Sequence, residues 1–230
     1  QHTLDIRTPF SIEKEYDTVV HLAALCRVGQ STEVPTDYYE TNVLGTLNVL
    51  RGTKFKNFIL ASTGAAVGLA SPYALSKKAA EEVTEEYCKT NNRLYTLFRF
   101  YNVTGTSGYP YTNPDGLFAG LVRAKETHAP FTIYGKDYPT LDGTAVRDYV
   151  HVNEICYSIL KAISTPAHQI ENLGHGVGHS VLEMAKKFQK VNKCSFDIEY
   201  GERRAGDMVV SVLDKVSPYM SNLYTIDELL

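Results

Sequence analysis

Two rhythms of apolar residues alternate along this chain. From Asp17 to Ala24 (DTVVHLAA) a β-branched apolar run ends in small residues, which predicts a buried parallel strand closing on a tight turn. Val43, Leu44, Leu47 and Leu50 recur at helical spacing and predict a helix over 38–50 with one buried face. Asn57 to Ala61 (NFILA) reads as a second buried strand. Pro72 suits a first helical turn, and the helix it opens is expected to run through Cys88 with Ala79, Ala80 and Val83 packed inward. Leu94 to Phe100 (LYTLFRF) reads as a third strand. Strand and helix alternate throughout, which predicts an α/β fold on a mainly parallel sheet. Ligands of such sheets gather at the carboxyl ends of the strands. His21-Leu22-Ala23-Ala24, Ser62-Thr63-Gly64 and Tyr101-Asn102 all fall at such ends. Gly, Pro and Tyr then crowd residues 105–116, followed by a helix and FTIYG from Phe131 to Gly135, so a second, smaller lobe closing over the ligand is expected.

Composition narrows the function classes. The 230 residues are 43% hydrophobic and 21% charged with a net charge of −3, and no Lys/Arg run exceeds two, which argues against nucleic acid or anionic lipid as a partner. Uncharged stretches such as Phe58 to Pro72 are rich in Ser, Thr and Gly, so no membrane association is expected, and the start carries no signal-peptide pattern. Cys26, Cys88, Cys156 and Cys194 lie far apart, which reads as free thiols in a reducing compartment and fits a cytoplasmic enzyme.

The candidate chemistry centres on Thr63 and on Tyr73-Ala74-Leu75-Ser76-Lys77. Positions i and i+4 share a helical face, so Tyr73 and Lys77 point the same way. A free tyrosine, with a pKa of about 10, is a poor base at neutral pH. A neighbouring ammonium would favour the phenolate, and the Thr63 hydroxyl at a strand end is placed to share the proton. YxxxK alone occurs by chance in many helices. Here it follows a strand ending in Ser-Thr-Gly and precedes one ending in Phe-Arg-Phe-Tyr-Asn.

HLAALCRVGQS, YYETNVLGTLNVL, FILASTGAAVG, SPYALSK, FRFYNVTG, FTIYGKDYPTLDGTAVRDYVHV, NLGHGVGHSVLE and ERRAGD occur in the order found in UDP-galactose 4-epimerases. The chain therefore resembles these isomerases, NAD-dependent members of the extended short-chain dehydrogenase/reductase family, over nearly its whole length. The resemblance implies a Rossmann-like doubly wound sheet forming an NAD-binding domain (1–107 and 143–172) and a nucleotide-sugar lobe (108–142 and 173–230). It implies that Tyr73 takes the 4-hydroxyl proton, with Lys77 as electrostatic partner and ribose ligand and Thr63 assisting, and that the positive nicotinamide ring further favours the phenolate. Asp5 and Ile6 match the segment beside the adenine, Leu22, Ala23, Ala24, Leu25 and Cys26 line the cofactor, and Asn42 and Tyr101 lie near it. Asn102, Tyr134, Arg147, Arg204 and Asp207 match holders of the UDP-sugar substrate. A guanidinium suits a diphosphate by charge and paired donors, although Arg147 has an internal salt bridge with Asp148 or another carboxylate as its alternative. A homodimer is also implied.

The sequence departs from that pattern in places. No GxxGxxG turn appears in the 230 residues, Thr63 and Tyr73 are only ten positions apart, the region from Gly105 to Asp115 is abbreviated, and the turn from Leu50 to Lys56 is tight. Two explanations stand: mobile segments of a longer chain are missing from the sequence, or the protein is trimmed. Omission is the expectation, because loops are the mobile parts of such sites, and a truly trimmed chain would put NAD binding in doubt.

Gly64-Ala65-Ala66 follows Thr63 where related dehydratases carry an Asp-Glu pair and decarboxylases favour a Glu, so epimerisation leads over those reactions, and the retained Thr63, Tyr73 and Lys77 argue against an inactive nucleotide-sugar binder. Ser211 matches a position where a small residue admits 2-acetamido sugars, which extends the expected substrates from UDP-glucose and UDP-galactose to their N-acetyl forms. His175 and His179 flank a glycine-rich loop that argues against a metal pair, with Ser180 suited to cap the next helix. Asn102-Val103-Thr104 fits a glycosylation sequon but falls in the expected pocket of a cytoplasmic protein.

Overall fold

The computed structural model describes residues 3–106, 108, 116–221 and 223–229; most of the Gly-, Pro- and Tyr-rich stretch expected at 105–116 lies outside them. In chain order the elements are β1 (Ile12–His21), α1 (Val28–Glu33), α2 (Pro35–Tyr39), a π-turn (Glu40–Leu44), α3 (Gly45–Gly52), β2 (Thr53–Thr63), α4 (Ala65–Gly68) and α5 (Pro72–Thr90). There follow β3 (Leu94–Phe100), β4 (Asn102–Thr104), α6 (Leu117–Thr127), β5 (Phe131–Tyr134), β6 (Val146–His151) and α7 (Val152–Ser164). The remainder is β7 (Gln169–Leu173), β8 (Gly178–Ser180), α8 (Val181–Val191), β9 (Ile198–Gly201) and β10 (Val210–Ser211). These fall into two compact units, Gln1–Phe100 with Ser158–Asn172, and Tyr101–Tyr157 with Leu173–Leu230.

The first unit is built on a four-stranded sheet of order β1-β2-β3-β7, with β1/β2 and β2/β3 parallel as the sequence predicts. Its core joins Val49 and Leu50 of α3, Phe55, Phe58 and Leu60 of β2, Ala80 and Cys88 of α5, and Tyr95 and Leu97 of β3. Strand β1 begins five residues before the expected Asp17. The reason is its edge position: Glu13 and Asp17 face solvent and pair with Lys54 (2.8 Å) and Lys56 (2.7 Å) of β2, so charged residues hide the strand from an apolar pattern. The helix expected over 38–50 is a helical run from Pro35 to Gly52 interrupted by the π-turn, in which Asn42 is buried. Gly52 is followed at once by β2, a turn as tight as the sequence suggests. Helix α5 starts as expected, with Pro72 in its first turn and the Ser71 hydroxyl accepting from the Ala74 amide at 3.2 Å.

The second unit carries β10-β6-β4 with β8 antiparallel on β6, and a separate parallel pair, β5 with β9. Strand β6, expected with the first part of the chain, pairs with β4, β8 and β10 and so groups with the second unit. Its core packs Phe118, Leu121 and Ala124 of α6 and Met184, Ala185 and Phe188 of α8 with Phe131, Ile133, Tyr149 and Phe196. Ser180 caps α8 as expected, its hydroxyl accepting from the Glu183 amide at 3.0 Å.

Gly52 marks the closest approach in the first unit. A Cβ built there meets the Phe10 carbonyl oxygen at 2.5 Å and the Phe10 ring at 2.9 Å. Helix propensity alone would make Gly52→Ala more stable by about 1 kcal/mol; crowding against backbone reverses the sign, and the variant should lose roughly 1–3 kcal/mol. A lower urea midpoint at unchanged slope is the expected result.

Candidate functional site

The end of β2 and the first turns of α5 bring the expected trio together. Thr63 is the last residue of β2; its hydroxyl accepts from the Ala65 amide at 3.2 Å and lies near enough to Tyr73 to favour the charged form of its phenol. Tyr73 also meets Tyr38 edge-on, with ring centroids 6.3 Å apart. One helical turn on, Lys77 is only 4% exposed, and its ammonium has no hydrogen-bond partner among the described residues.

Electrostatics correct one expectation. Burial pushes the Tyr73 phenol up to about 12, only partly opposed by the Thr63 hydroxyl, and Lys77 is not among the groups that shift it. Desolvation of the phenolate thus outweighs its neighbours in the protein alone. Burial likewise pulls Lys77 down to about 8 against an opposing pull from Glu81. His21, 5% exposed with Nε2 at 3.1 Å from the Thr46 hydroxyl, is pushed down to about 4 by burial and then by the Lys77 charge, so it is neutral near pH 7.

Asn42 fixes the segment that follows β1. Its Oδ1 accepts from the Leu25 amide at 2.8 Å, and its Nδ2 donates to the Leu25 carbonyl and the Ser76 hydroxyl, each at 3.0 Å. The Tyr38 hydroxyl donates to the Arg27 carbonyl at 2.7 Å and accepts from the Arg27 amide at 3.1 Å. Leu22, Ala23 and Cys26 are left exposed, with Ala24 and Leu25 half-buried. The π-turn around Asn42 is the sort of irregularity found at functional positions; the apolar pattern of 38–50 contains no signal for it. Ile6 packs on Gly45, its carbonyl accepts from Asn48 at 2.8 Å, and the exposed Asp5 pairs with Arg7 at 2.7 Å, whose hydrogen bonds hold it at about 2.

A second constellation belongs to the second unit. Arg147, 9% exposed, pairs through Nη2 with Asp207 at 2.9 Å and donates through Nη1 to the Val146 carbonyl at 2.9 Å. Its alternative partner Asp148 is engaged elsewhere, accepting from the amides of His175 and Gly176, both at 2.8 Å. The Arg204 guanidinium lies 3.8 Å from the centroid of the Tyr134 ring. Ser211 is in register with Arg147 across β10 and β6, and on the other side of β6 Asn102 is in register with Tyr149. Tyr101 precedes β4, its amide donating to the Leu173 carbonyl at 3.0 Å. His175 and His179 each meet a separate glutamate, Glu154 and Glu183, both at 2.9 Å.

Sequence reasoning missed the buried Glu81. Its carboxylate accepts from Ser62 of β2 at 2.5 Å and from Arg99 of β3 at 2.9 and 2.6 Å. The available signal was the spacing of Glu81 four residues after Lys77 on one helical face.

Residues 2–174 match the family described as NAD dependent epimerase/dehydratase family. The UDP-glucose 4-epimerase of Haemophilus influenzae is 33% identical over 232 residues, covering 88% of this chain and 69% of its own length. That of Erwinia amylovora is 34% identical over 233 residues with the same coverage. Among solved structures, UDP-glucose 4-epimerase from Bifidobacterium longum in complex with NAD+ and UDP matches at 26% identity and a TM-score of 0.81, over 93% of this chain and 73% of that one.

Burial of Lys77 has a measurable consequence. Between about pH 8, where the native lysine titrates, and its ordinary 10.5, the unfolded chain binds the extra proton, so native stability rises with pH across that window. Lys77→Met removes the buried charge. It should be more stable than the parent at about pH 7, by on the order of 2 kcal/mol, with the gap closing by about pH 10. Urea titrations at the two pH values measure it.

Proposed function

The chain belongs to the NAD dependent epimerase/dehydratase family, and on that premise we propose that it catalyses NAD-dependent 4-epimerisation of a UDP-hexose. The observation that carries this reading is the Thr63 hydroxyl set against Tyr73, one helical turn from Lys77, a buried ammonium without a hydrogen-bond partner among the described residues. A buried cation left open in this way fits a ligand rich in hydroxyls and negative charge, as the ribose and diphosphate of NAD are. Lys77, the segment Leu22–Cys26 fixed by Asn42, and the Asp5-Ile6 segment would hold the cofactor.

NAD, when bound, supplies a reversible acceptor for the hydride on C4 and a positive ring that favours the phenolate. Tyr73 then removes the O4 proton as the sugar becomes a 4-keto species, with Thr63 holding the oxygen to which the proton passes. After the sugar has turned, Tyr73 returns the proton to O4, and because NAD would give back what it takes, the reaction would carry no net oxidation. Residues after Thr63 form α4, with Ala66 buried and no carboxylate, which supports epimerisation over water elimination. Arg147, oriented by Asp207, and Arg204, stacked on Tyr134, are suited to the diphosphate and nucleotide, with Asn102 as a further contact. We read the protein as cytoplasmic, in keeping with its four free cysteines, and as a homodimer by its resemblance to the family.

Tyr73→Phe should lower kcat about 10²–10⁴-fold while bound NAD, measured after denaturing the purified protein, stays at the parental level. Full activity in this variant would sink the assignment of the base. Ser211, small and in register with Arg147, leads us to expect turnover of UDP-N-acetylglucosamine and UDP-N-acetylgalactosamine beside the plain hexoses. An assay in which only the plain hexoses react would refute that.

A further inference from the structure

Helix α5 presents four charged or polar groups on neighbouring turns: Tyr73, Lys77, Lys78 and Glu81. Glu81 is the most deeply placed, at 1% exposure. Oε1 accepts from the Ser62 hydroxyl (2.5 Å) and Arg99 Nε (2.9 Å), and Oε2 from Arg99 Nη2 (2.6 Å), with the Lys78 ammonium at 3.8 Å. Ser62 directly precedes Thr63 on β2, and Arg99 is the penultimate residue of β3. One carboxylate therefore ties the helix that carries Tyr73 and Lys77 to the strand end that carries Thr63.

We propose that Glu81 is the positioning residue of this site, setting Thr63 against Tyr73 through Ser62 and Arg99 and supplying the negative charge that keeps Lys77 an ammonium. The inference rests on the epimerase reading for its kinetic half alone. The groups that act on Lys77 are Glu81 on its own helix and Cys26 from the segment after β1, and the Lys77 charge in turn depresses His21 at the end of β1. His21 is neutral near pH 7. Glu81 is the stronger of the two groups that hold Lys77 in its charged form. The same carboxylate pairs with Arg99 at 2.6 Å, so it serves both cations at once.

A buried ion pair that loses one partner strands the other, so Glu81→Gln alone confounds folding with function. The informative variants are Ser62→Ala, which cuts the tie and keeps the charge, and Glu81→Gln/Arg99→Met, which removes both charges and leaves neither stranded. Ser62→Ala should lower kcat on the order of tenfold at unchanged KM, with the alkaline limb of the pH–rate profile where the parent has it. The double variant should fold, yet its alkaline limb should move about one pH unit toward acid. Its stability, followed by thermal melts without substrate, should begin its alkaline rise at a correspondingly lower pH. Parental kcat in Ser62→Ala, or a parental alkaline rise in the melts of the double variant, would overturn the proposal. If the parent itself shows no epimerase activity, the function reading falls, while the melts still decide the link between Glu81 and Lys77.

Discussion

Glu81 stands on the buried face of helix α5 with hydrogen bonds arriving from β2 and β3, and the order of the first unit's chemistry follows from that burial. A carboxylate taken out of water is costly unless its oxygens are filled by donors. Ser62 and the Arg99 fork fill them, so the helix cannot slide along the sheet without stranding a charge. The same constraint fixes the distance between Thr63 and Tyr73. It also leaves Lys77, one turn from Glu81, buried enough to be pulled toward neutrality yet close enough to a negative charge to resist.

The second unit uses a carboxylate differently. Asp148 is wholly buried and accepts from the backbone amides of His175 and Gly176, with the Leu213 amide at 3.3 Å. It thereby joins β6 to the glycine-rich loop before β8 and to the chain just beyond β10. Gly174 is needed there because a Cβ would lie 2.6 Å from Asp148 Oδ2. With Asp148 committed to backbone, its neighbour Arg147 turns to Asp207.

On the proposed reaction, cofactor and protein would share the control of Tyr73. Alone, the buried phenol sits at about 12, too high for a base at neutral pH. A positive ring beside it would reverse that balance, which couples proton removal to the presence of the group that accepts the hydride. An empty site would then be inert, and the sugar would be protected from unproductive deprotonation.

The sequence by itself determined the alternation of strand and helix, the parallel pairing of β1, β2 and β3, the start of α5 at Pro72 and the cap at Ser180. These depend on local periodicity and backbone preference, which short stretches of chain encode. It also yielded Thr63, Tyr73 and Lys77, because an i, i+4 pair after a strand end is a local pattern, and the linked motifs carried the family. Only tertiary structure decided the rest. The early start of β1 rests on cross-strand pairs of Glu13 and Asp17 with lysines about forty residues away. The π-turn at Asn42 is held by contacts to Leu25 and Ser76, and the partner of Arg147 lies sixty residues distant. Glu81 read as one more charge on a charged helix until folding buried it. Burial and long-range hydrogen bonding set the cost of a charge, and neither is a property of the residues taken in order.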